Sequence, residues 1–477
     1  MRVVMKFGGA SVGKGYSTVA KIINSYAESN ETIVLVSAMA GVTDQLIDCA
    51  ERSQKDIKKE VLRDFIQELL KKHLKAAEES IDDELILKEI EQKLTETLEE
   101  LERVLIGISL LKELSSQARD KVMSFGERLS TPILWGAVKN LNIPAVYLSG
   151  YEAGIVTDDR FGNARPIWDL SMKKIQQTLL PLLEQGYTLI ISGFVAETAE
   201  DGIITTLGRG GTDFSASIIG AAIEAEEIIF WKETTGVLTT DPNIEPNAQT
   251  IPSLSYAEAM ELAYFGAKIL HPKCLQPVME RENILVRVKN TFKPDAEGSV
   301  IVGEGSEQVE NIAKAVSVLF NAGIIEVGGA GMIGTPGIAA LVFGAFEKAD
   351  ANVIMISQSS SEANISVVVN RSDLKKTEKT LKETFAHTNY IKYIRSEDDI
   401  CVIGVVGEGL KGTPGVAAKV FQSVAQKGVN VRMIAQGSSE LNISFVVKEK
   451  DGALAVRALH ETFELGEKIN YLKRDKK

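Results

Sequence analysis

The chain has 477 residues, enough for about three domains, and its apolar (44%) and charged (25%) fractions are those of an ordinary globular protein. Its net charge is −12 without a basic stripe, and no apolar run approaches the ~20 residues of a membrane span, so neither nucleic acid nor membrane is expected as a partner. With 3 cysteines, no CxxC pair and only 4 histidines, the composition argues against a Cys/His zinc site and favours a reducing, cytoplasmic location.

The first region alternates short apolar runs with helical patterns, over residues 1–50 and again from about 117. The runs that predict buried strands are RVVMKF, TIVLVSAM, IPAVYLS, YTLIISGFV, EEIIFWKE and ILVRVKN. Segments such as STVAKIINSYAES and TDFSASIIGAAIEA predict helices between them. This alternation predicts an α/β domain over residues 1–300, with a largely parallel open sheet covered by helices on both faces.

A helical insertion is predicted at about 54–114, where Leu, Lys and Glu dominate and apolar residues recur at intervals of three to four. The pattern predicts two long helices, and we interpret them as a solvated insertion without chemistry.

The third region contains an internal repeat. GTPGIAALVF (334–343) recurs as GTPGVAAKVF (412–421), and NVIMISQSSSEANISVVV (352–369) recurs at the same spacing as NVRMIAQGSSELNISFVV (430–447). Each copy follows the order strand, Pro-Gly loop, helix, strand, polar loop, strand, helix and a final strand, which is the βαββαβ order of a ferredoxin-like unit. We therefore predict two duplicated domains, at 320–396 and 397–477.

The glycine turn KFGGASVGKG (6–15) is one residue short of a P-loop, because Gly15 stands where that loop needs a hydroxyl. Lys6 at a strand end, followed by glycines before a helix, can still surround a phosphate with backbone N–H groups and one positive charge. Lys6, on the strand, is better fixed than Lys14. The alternative is an ordinary tight turn.

A second glycine cluster, TTLGRGGTDFSA (205–216), opens a predicted helix with Thr212 or Asp213 as its N-cap. Arg209 between glycines suits a carboxylate or phosphate clamp, although a surface arginine in a turn is the alternative. Glu127, in SFGERLS (124–130), is either a solvated helix residue or the partner of an amine. Because ligands of parallel sheets collect at the carboxyl ends of strands, these clusters predict a site for a small anion and a nucleotide.

Five motifs in this order resemble the aspartate kinases, amino-acid kinases with two C-terminal ACT domains: KFGGASV, VSAMAGVTD, SFGERLS, TTLGRGGTD and FGAKILHP. The resemblance implies a three-layer α/β/α kinase domain and a second ACT domain completed by the strand NIAKAVSV (311–318). It also implies ATP-dependent phosphorylation of the L-aspartate side chain to 4-phospho-L-aspartate, the first step towards lysine, threonine and methionine. A carboxylate of pKa ~3.9 is already ionised at pH 7 and needs no general base.

The resemblance also implies residue roles. Lys6 would contact the phosphoryl oxygens and Asp213 would hold the cations of the site, while Arg209 would bind the α-carboxylate and Glu127 the α-amine. The other implied substrate-binding residues are Ser37, Thr43, Phe194, Thr206, Gly210, Gly211 and Thr212. Those implied for the nucleotide are Lys6, Gly8, Gly9, Ser11, Lys232, Glu233, Leu238 and Lys268. No metal-binding residue is expected, because Mg²⁺ would be carried mainly by ATP.

The ACT repeats imply feedback control by an end-product amino acid, threonine or lysine, with the Gln/Asn pattern favouring threonine. The implied effector-binding residues are Gly334, Pro336, Gly337, Ile338, Gln358 and Asn364. Their counterparts Gln436 and Asn442 would serve contacts between domains. A homo-oligomer, dimer or tetramer, formed through the ACT sheets is expected.

One segment departs from the family pattern: WKETTGVLTTDPN (231–243) has Lys232 and Glu233 for Thr-Asp, Leu238 for Tyr, and Asn243 for Arg. The change to Leu removes an aromatic face, and the change to Asn removes a positive charge. Two alternatives therefore stand beside an aspartate kinase. One is a kinase-like amino-acid sensor without turnover, and the other is a related kinase acting on glutamate or N-acetylglutamate.

Overall fold

The computed structural model describes residues 1–55, 57–265, 270–281, 283–303 and 311–467. The chain divides into two compact units. The first comprises Met1–Val237, Pro252–Tyr256 and Ile269–Ser306, and the second comprises Leu238–Ile251, Ala257–Lys268 and Glu307–Lys477. Among the described helices, none combines the length and the apolar character needed to cross a membrane.

The first unit is built on one open sheet. Its strands are β1 (Arg2–Phe7), β2 (Glu31–Val36), β3 (Ala145–Ser149), β5 (Thr188–Ser192), β8 (Glu227–Lys232), β9 (Ser253–Ser255), β10 (Leu285–Asn290) and β11 (Ser299–Val302). They lie in the order β3-β5-β2-β1-β8-β10-β11-β9, and every neighbouring pair is parallel except β10 and β11. A small second sheet contains β4 (Val156–Thr157), β6 (Val195–Thr198) and β7 (Ile204–Thr206). The predicted largely parallel sheet is confirmed.

Helices cover both faces of this sheet. They are α1 (Gly9–Gly13), α2 (Tyr16–Ala27), α3 (Val42–Gln54), α4 (Lys59–Glu78), α5 (Glu84–Leu111), α6 (Ser116–Lys139), α7 (Trp168–Glu184), α8 (Gly211–Ala222) and α10 (Pro272–Met279). Alternate strand residues such as Val3 and Met5 share a core with α2 to α6, while the fully buried helix α8 packs on the opposite face with α7 and α10. The three-layer α/β/α arrangement follows.

The two long helices predicted at 54–114 are α4 and α5, and they are more than a solvated appendage. Leu62 and Leu69 of α4, and Leu94 and Leu98 of α5, are buried in the same core as the sheet residues. The seven-residue spacing in α4 and the four-residue spacing in α5 each place the two leucines on one helix face, so the insertion adds a packed layer to the first unit.

The second unit contains one antiparallel sheet shared by both repeats. Its elements are α9 (Tyr256–Tyr264, apart from its first residue), β12 (Ala315–Gly328), α11 (Ile338–Lys348), β13 (Val353–Gln358), β14 (Asn364–Asn370), α12 (Leu374–Phe385), β15 (Tyr393–Val406), α13 (Val416–Gln426), β16 (Met433–Gln436), β17 (Asn442–Lys448) and α14 (Gly452–Thr462). The strand order is β13-β14-β12-β15-β17-β16.

The long strands β12 and β15 each serve both repeats. The N-terminal part of β12 pairs with the C-terminal part of β15, from Ala315 opposite Val406 to Leu319 opposite Val402, beside the strands of the second repeat. Beyond an irregularity, the rest of β12 pairs with β14 of the first repeat. The strand expected over 311–318 therefore begins at Ala315, and a division at 396/397 falls inside β15.

A buried ion pair ties α9 to the repeats within the second unit. Nζ of Lys314, just before β12, lies 2.7 Å from Oε2 of Glu258 on α9. The other carboxylate oxygen of Glu258 accepts the backbone N–H of Glu408, at 2.8 Å, in the turn after β15. Both charged side chains are almost completely shielded from solvent, where breaking an ion pair costs much more than it does at the surface.

Candidate active site

Two lysines and one aspartate meet at the carboxyl ends of β1 and β8. Nζ of Lys6 lies 2.7 Å from Oδ1 of Asp213, and Nζ of Lys232 lies 2.7 Å from Oδ2 of the same carboxylate. Lys6 and Asp213 are buried. Burial acts to raise the pKa of Asp213, but the two ammonium groups outweigh it and hold that pKa at about 2. The site therefore contains an ionised carboxylate between two lysine side chains, and burial lowers the pKa of Lys6 from its usual value.

The first glycine turn brings α1 close to the loop after β2. A Cβ atom on Gly9 would lie 2.5 Å from the carbonyl oxygen of Ala38, so this close approach requires glycine. Ser11 shares a 2.7 Å hydrogen bond with the hydroxyl of Thr291, which follows β10. Lys14, at the P-loop lysine position, pairs with Glu233 at 2.7 Å rather than with Asp213.

The second glycine turn starts α8, and its N-cap differs from the prediction. Gly210, with φ of 74° in the left-handed region, is the N-cap, so the expectation that Thr212 or Asp213 caps the helix is wrong. Asp213 lies in the first turn and is free to face the lysines. A Cβ on Gly210 would lie 2.6 Å from Cβ of His271, so the turn and the start of α10 pack closely.

Phe194 covers the start of α8 in an unusual backbone conformation. Its φ is 69°, and its N–H donates to the hydroxyl of Ser215 at 2.9 Å. A Cβ on Gly211 would lie 2.6 Å from Cδ2 of the Phe194 ring. A phenylalanine in the left-handed region is strained, and such strain is often associated with functional sites.

Glu127 on α6 is buried beside the same cluster. Burial raises its pKa to about 7, against the opposing effects of the Ala38 backbone, of Lys6 and of Thr212. Within the described chain, Oε2 of Glu127 has no hydrogen-bond partner. Because Thr43 lies against Gly126, the neighbour of Glu127, the structure also brings Thr43 to this position. A buried carboxylate with a free oxygen can bind an ammonium group.

The remaining predicted residues of the first unit differ in exposure. Arg209 is exposed on its glycine loop, and no carboxylate of the described residues forms an ion pair with it. Ser37 directly follows β2, with its N–H donated to the carbonyl of Phe7. The hydroxyl and N–H of Thr206 both donate to buried Asp120, at 2.9 and 2.8 Å, which makes Thr206 part of the support of the site.

The other two residues predicted for the nucleotide are Leu238 and Lys268. Leu238 belongs to the second unit, where it is half-buried and forms an isolated bridge with Thr250. Lys268 lies outside the described residues. Across the described part of the chain, no three His, Cys, Asp or Glu side chains converge as metal ligands.

A cavity of about 330 Å³ lies beside the Pro-Gly loop of the first repeat. Of the predicted effector residues it is lined by Gly334, Pro336, Gly337, Ile338 and Gln358. Asn364 lines a neighbouring cleft, which Gln358 also borders, and the side-chain amide of Asn364 donates to Glu326 at 3.3 Å.

Sequence reasoning did not single out Glu362, which also lines the cavity. Its Oε2 accepts the N–H of Gly334 at 3.0 Å, and its φ of 56° holds it in the left-handed region. The second repeat reproduces the contact, with Glu440 accepting the N–H of Gly412 at 2.6 Å. In that repeat Asn442 donates to Glu261 at 2.9 Å, on the α9 segment.

The open parallel sheet, the Lys–Asp–Lys cluster between two glycine turns and the duplicated βαββαβ unit together define a small-molecule kinase with regulatory repeats. In agreement, the model of the amino acid kinase family matches residues 1–290. The ACT domain model matches residues 325–385 and 403–463.

The similarity extends over nearly the whole chain. Aspartokinase 1, chloroplastic, of Arabidopsis thaliana is 34% identical over 474 residues, which cover 96% of this chain and 80% of that protein. The structure of E. coli aspartokinase III in complex with aspartate and ADP matches with a TM-score of 0.84 and 26% identity, covering 97% of this chain and 100% of the other. Aspartate kinase of Clostridium acetobutylicum matches with a TM-score of 0.76 and 26% identity, covering 97% and 100%. The chain belongs to the aspartokinases of the amino acid kinase family.

Proposed function

We propose that this protein transfers the γ-phosphoryl group of ATP to the side-chain carboxylate of L-aspartate, giving 4-phospho-L-aspartate. The observation that carries the proposal is the buried cluster of Lys6, Asp213 and Lys232 between the two glycine turns. Phosphoryl transfer needs alignment of the reactants and neutralisation of the charge on the transferred group. Lys6 supplies the positive charge that neutralises the phosphoryl group, and Asp213 holds the two ammonium groups in place.

The amino-acid end of the substrate is assigned to Arg209 and Glu127. Arg209, exposed and without a carboxylate partner among the described residues, binds the α-carboxylate through its planar fork. Glu127 binds the α-ammonium group. This positive charge compensates for the water that the buried carboxylate lacks, and it lowers the pKa of Glu127 from about 7. Ser37, Thr43, Phe194 and the start of α8 complete the pocket.

The phosphates lie on the first glycine turn and between the two lysines. Gly8, Gly9 and the N-terminal N–H groups around α1 approach the phosphates, while Lys232 and Lys268 add positive charge. Mg²⁺ would neutralise phosphate charge, but Asp213 already pairs with two lysines and the described residues form no carboxylate cluster. We therefore assign the ion to the nucleotide, with phosphate oxygens and water as its main ligands.

The site argues against two other functions, a kinase for N-acetylglutamate and an amino-acid sensor without turnover. A kinase for N-acetylglutamate would not present the buried Glu127 carboxylate to an uncharged amide, because that leaves a buried charge unpaired. A sensor without turnover would not require Lys6 and Lys232 to be held around Asp213. Trapping the acyl phosphate with hydroxylamine in the presence of ATP separates the three possibilities. We expect hydroxamate from aspartate and none from glutamate or N-acetylglutamate, and no hydroxamate from any of them would reject the proposal.

For feedback control we propose lysine as the effector, bound in the cavity of the first repeat. The structure of E. coli aspartokinase III in complex with lysine and aspartate matches this chain with a TM-score of 0.74 and 26% identity, covering 97% of this chain and 99% of the other. In this chain the carboxylate of Glu362 lines the cavity, which suits a second ammonium group better than the hydroxyl of threonine. This residue reverses the preference for threonine drawn from the Gln/Asn pattern.

We further propose a cytoplasmic homo-oligomer that starts lysine, threonine and methionine synthesis. The sheet of the second unit ends in β13 and β16, whose Ile356 and Ile434 are exposed and apolar, as expected of a surface covered by a second copy. The cysteines are free and buried, as in a reducing compartment. Light scattering should give at least a dimer, and a monomer at micromolar concentration would contradict the assembly.

A further inference from the structure

The nucleoside part of the ATP site is not accounted for by the residues assigned so far. The family's aromatic residue in the 231–243 segment is Leu238 here, which offers no ring to a base. An adenine base binds best against an aromatic face, because base and ring stack in a largely sequence-tolerant way. A different aromatic residue near the phosphate site could therefore supply this contact.

Phe292 lies at the corresponding edge of the sheet. Strand β10 pairs in parallel with β8, and its last residue, Asn290, lies opposite Lys232. The N–H of Thr291 donates to the carbonyl of Lys232 at 2.9 Å. Phe292 therefore follows the strand next to the one that delivers Lys232 to Asp213, on the side of β8 away from β1.

The backbone around Phe292 is held by polar contacts to the proposed phosphate site. Its N–H donates to Oδ1 of Asn290 at 2.8 Å, and the amide of Asn290 donates to the carbonyl of Glu233 at 2.9 Å. The buried hydrogen bond between Ser11 and Thr291 ties the same turn to α1. The turn that carries Phe292 is thus held by the elements that carry Lys6 and Lys232.

Part of the Phe292 side chain is exposed to solvent. Phe292 keeps 40% of its surface exposed, although it sits on a well-connected turn. Nζ of Lys14 lies over the ring, 4.8 Å from its centroid, and pairs with Glu233 at 2.7 Å. An exposed aromatic ring, a carboxylate and an ammonium group together offer one contact each to a base, to ribose hydroxyls and to a phosphate.

We propose that Phe292 and the Lys14–Glu233 pair form the nucleoside end of the ATP site, with the Phe292 ring against the base and the Glu233 carboxylate on the ribose hydroxyls. The inference rests on the proposed function for the identity of the nucleotide. It adds Lys14 and Phe292 to the site, and Phe292 supplies the aromatic contact that Leu238 cannot make.

Calorimetric binding of a non-hydrolysable ATP analogue tests the ring directly, without depending on turnover. We expect Phe292→Leu to weaken binding about tenfold and Phe292→Trp to stay within about twofold of the wild type. Inorganic tripolyphosphate, which has no base, should bind the wild type and Phe292→Leu equally. Phe320→Leu, at a Phe of similar exposure on β12, is the matched control and should change neither. Unchanged affinity of Phe292→Leu for the analogue would overturn the role of the ring.

The ribose contact has its own test. Wild type should bind ATP about tenfold more tightly than 2′,3′-dideoxy-ATP, and Glu233→Ala should remove this difference. A preference that survives in Glu233→Ala would overturn the ribose assignment. Hydroxamate formation from aspartate by the wild type, with unchanged binding in both variants, would leave the proposed function standing and reject this inference alone. If Phe292→Leu lost binding of the analogue while the wild type did not phosphorylate aspartate, the role of Phe292 would stand and the proposed function would be rejected.

Discussion

Nζ of Lys6 lies 2.7 Å from Oδ1 of Asp213, and both side chains are buried at the carboxyl edge of the parallel sheet. The pair is not a simple structural salt bridge, since Lys232 contacts the second oxygen of the same carboxylate, so that two lysine side chains lie on one aspartate. We expect such an arrangement of lysines to stabilise the negative charge of a phosphoryl group. The roles of Lys6, Arg209, Glu127 and Glu362, and the ion pair of Lys314, can each be tested.

Lys6→Ala should mainly lower kcat. In the proposed mechanism the lysine contacts the transferred phosphoryl group, so its loss should remove stabilisation that is strongest in the transition state. We expect kcat to fall by about 10²–10³. The KM for aspartate should change little. Lys21→Ala, at an exposed position of α2, is the control. Near-normal turnover by a folded Lys6→Ala variant would show that the first glycine turn does not carry the phosphoryl group.

Arg209→Ala should mainly weaken the binding of aspartate. Losing a two-pronged charge-assisted hydrogen bond to the α-carboxylate should lower kcat/KM for aspartate about 100-fold, chiefly through KM. Arg209→Lys should recover only part of the loss, because an ammonium group cannot bind the carboxylate through two parallel bonds. Steady-state kinetics with Arg63→Ala on α4 as control measure this. A KM for aspartate that stays unchanged would exclude Arg209 from the pocket.

Glu127 should give the enzyme a specific pH dependence. Its pKa in the free enzyme is about 7, and only the ionised form attracts the α-ammonium group, so kcat/KM for aspartate should rise with pH through about 7. Glu127→Gln should raise the KM for aspartate and abolish this acid limb. Glu91→Gln, at an exposed position of α5, should retain the limb.

The same residue links pH to stability with a defined sign. The pKa of Glu127 is raised from 4.5 to about 7, so the unfolded chain releases this proton first and the free energy of unfolding falls as pH rises from about 4.5 to about 7. As pH rises across this interval, the free energy of unfolding of Glu127→Gln should therefore increase relative to that of the wild type. Asp213 acts in the opposite sense, since its pKa is lowered to about 2 and its contribution is lost only as pH falls below about 4. Urea unfolding at several pH values would detect both, and a flat difference between wild type and Glu127→Gln would contradict the first.

Glu362→Gln should weaken inhibition by lysine about tenfold while leaving activity without effector unchanged. The cavity would keep its shape but lose the negative charge that binds the side-chain ammonium group. Glu440→Gln is a matched control, because Glu440 makes the equivalent contact to Gly412 in the second repeat. If Glu440→Gln lost lysine inhibition and Glu362→Gln kept it, the effector would belong to the other repeat.

Lys314→Met should destabilise the second unit. Removing the lysine takes the ammonium partner away from the buried Glu258 carboxylate, and such losses cost roughly 3–5 kcal/mol. Lys411→Met, at an exposed position of the second repeat, should cost less than about 0.5 kcal/mol. Urea unfolding followed by a probe in the second unit would measure both, and equal midpoints would contradict the role of the pair.

Much of the fold could be predicted because its signals are local. Continuous apolar runs such as those of β1 and β8 indicate strands buried on both faces, and the duplicated Pro-Gly blocks indicate a repeated βαββαβ unit. What the repeat could not define is the position where one copy ends. Strands β12 and β15 each run through both copies, and such pairing depends on contacts distant in sequence.

The site was predictable where glycine turns and strand ends coincide, as at Lys6 and Asp213. The predicted N-cap of α8 was wrong because the preference for Thr or Asp at an N-cap is weak. Gly210 takes the position instead, since it adopts a left-handed backbone conformation and has no side chain to clash with His271. Glu362 and Phe292 were missed because a lone Glu or Phe in a polar loop has no periodic pattern, and only the folded chain shows what surrounds it.

The most direct test of the central claim is a crystal structure with aspartate and a non-hydrolysable ATP analogue. We predict that the terminal phosphate lies within hydrogen-bonding distance of Lys6, with the aspartate side-chain carboxylate facing it and its α-carboxylate on Arg209. Binding of either ligand away from the two glycine turns, in a protein that still phosphorylates aspartate, would contradict the account.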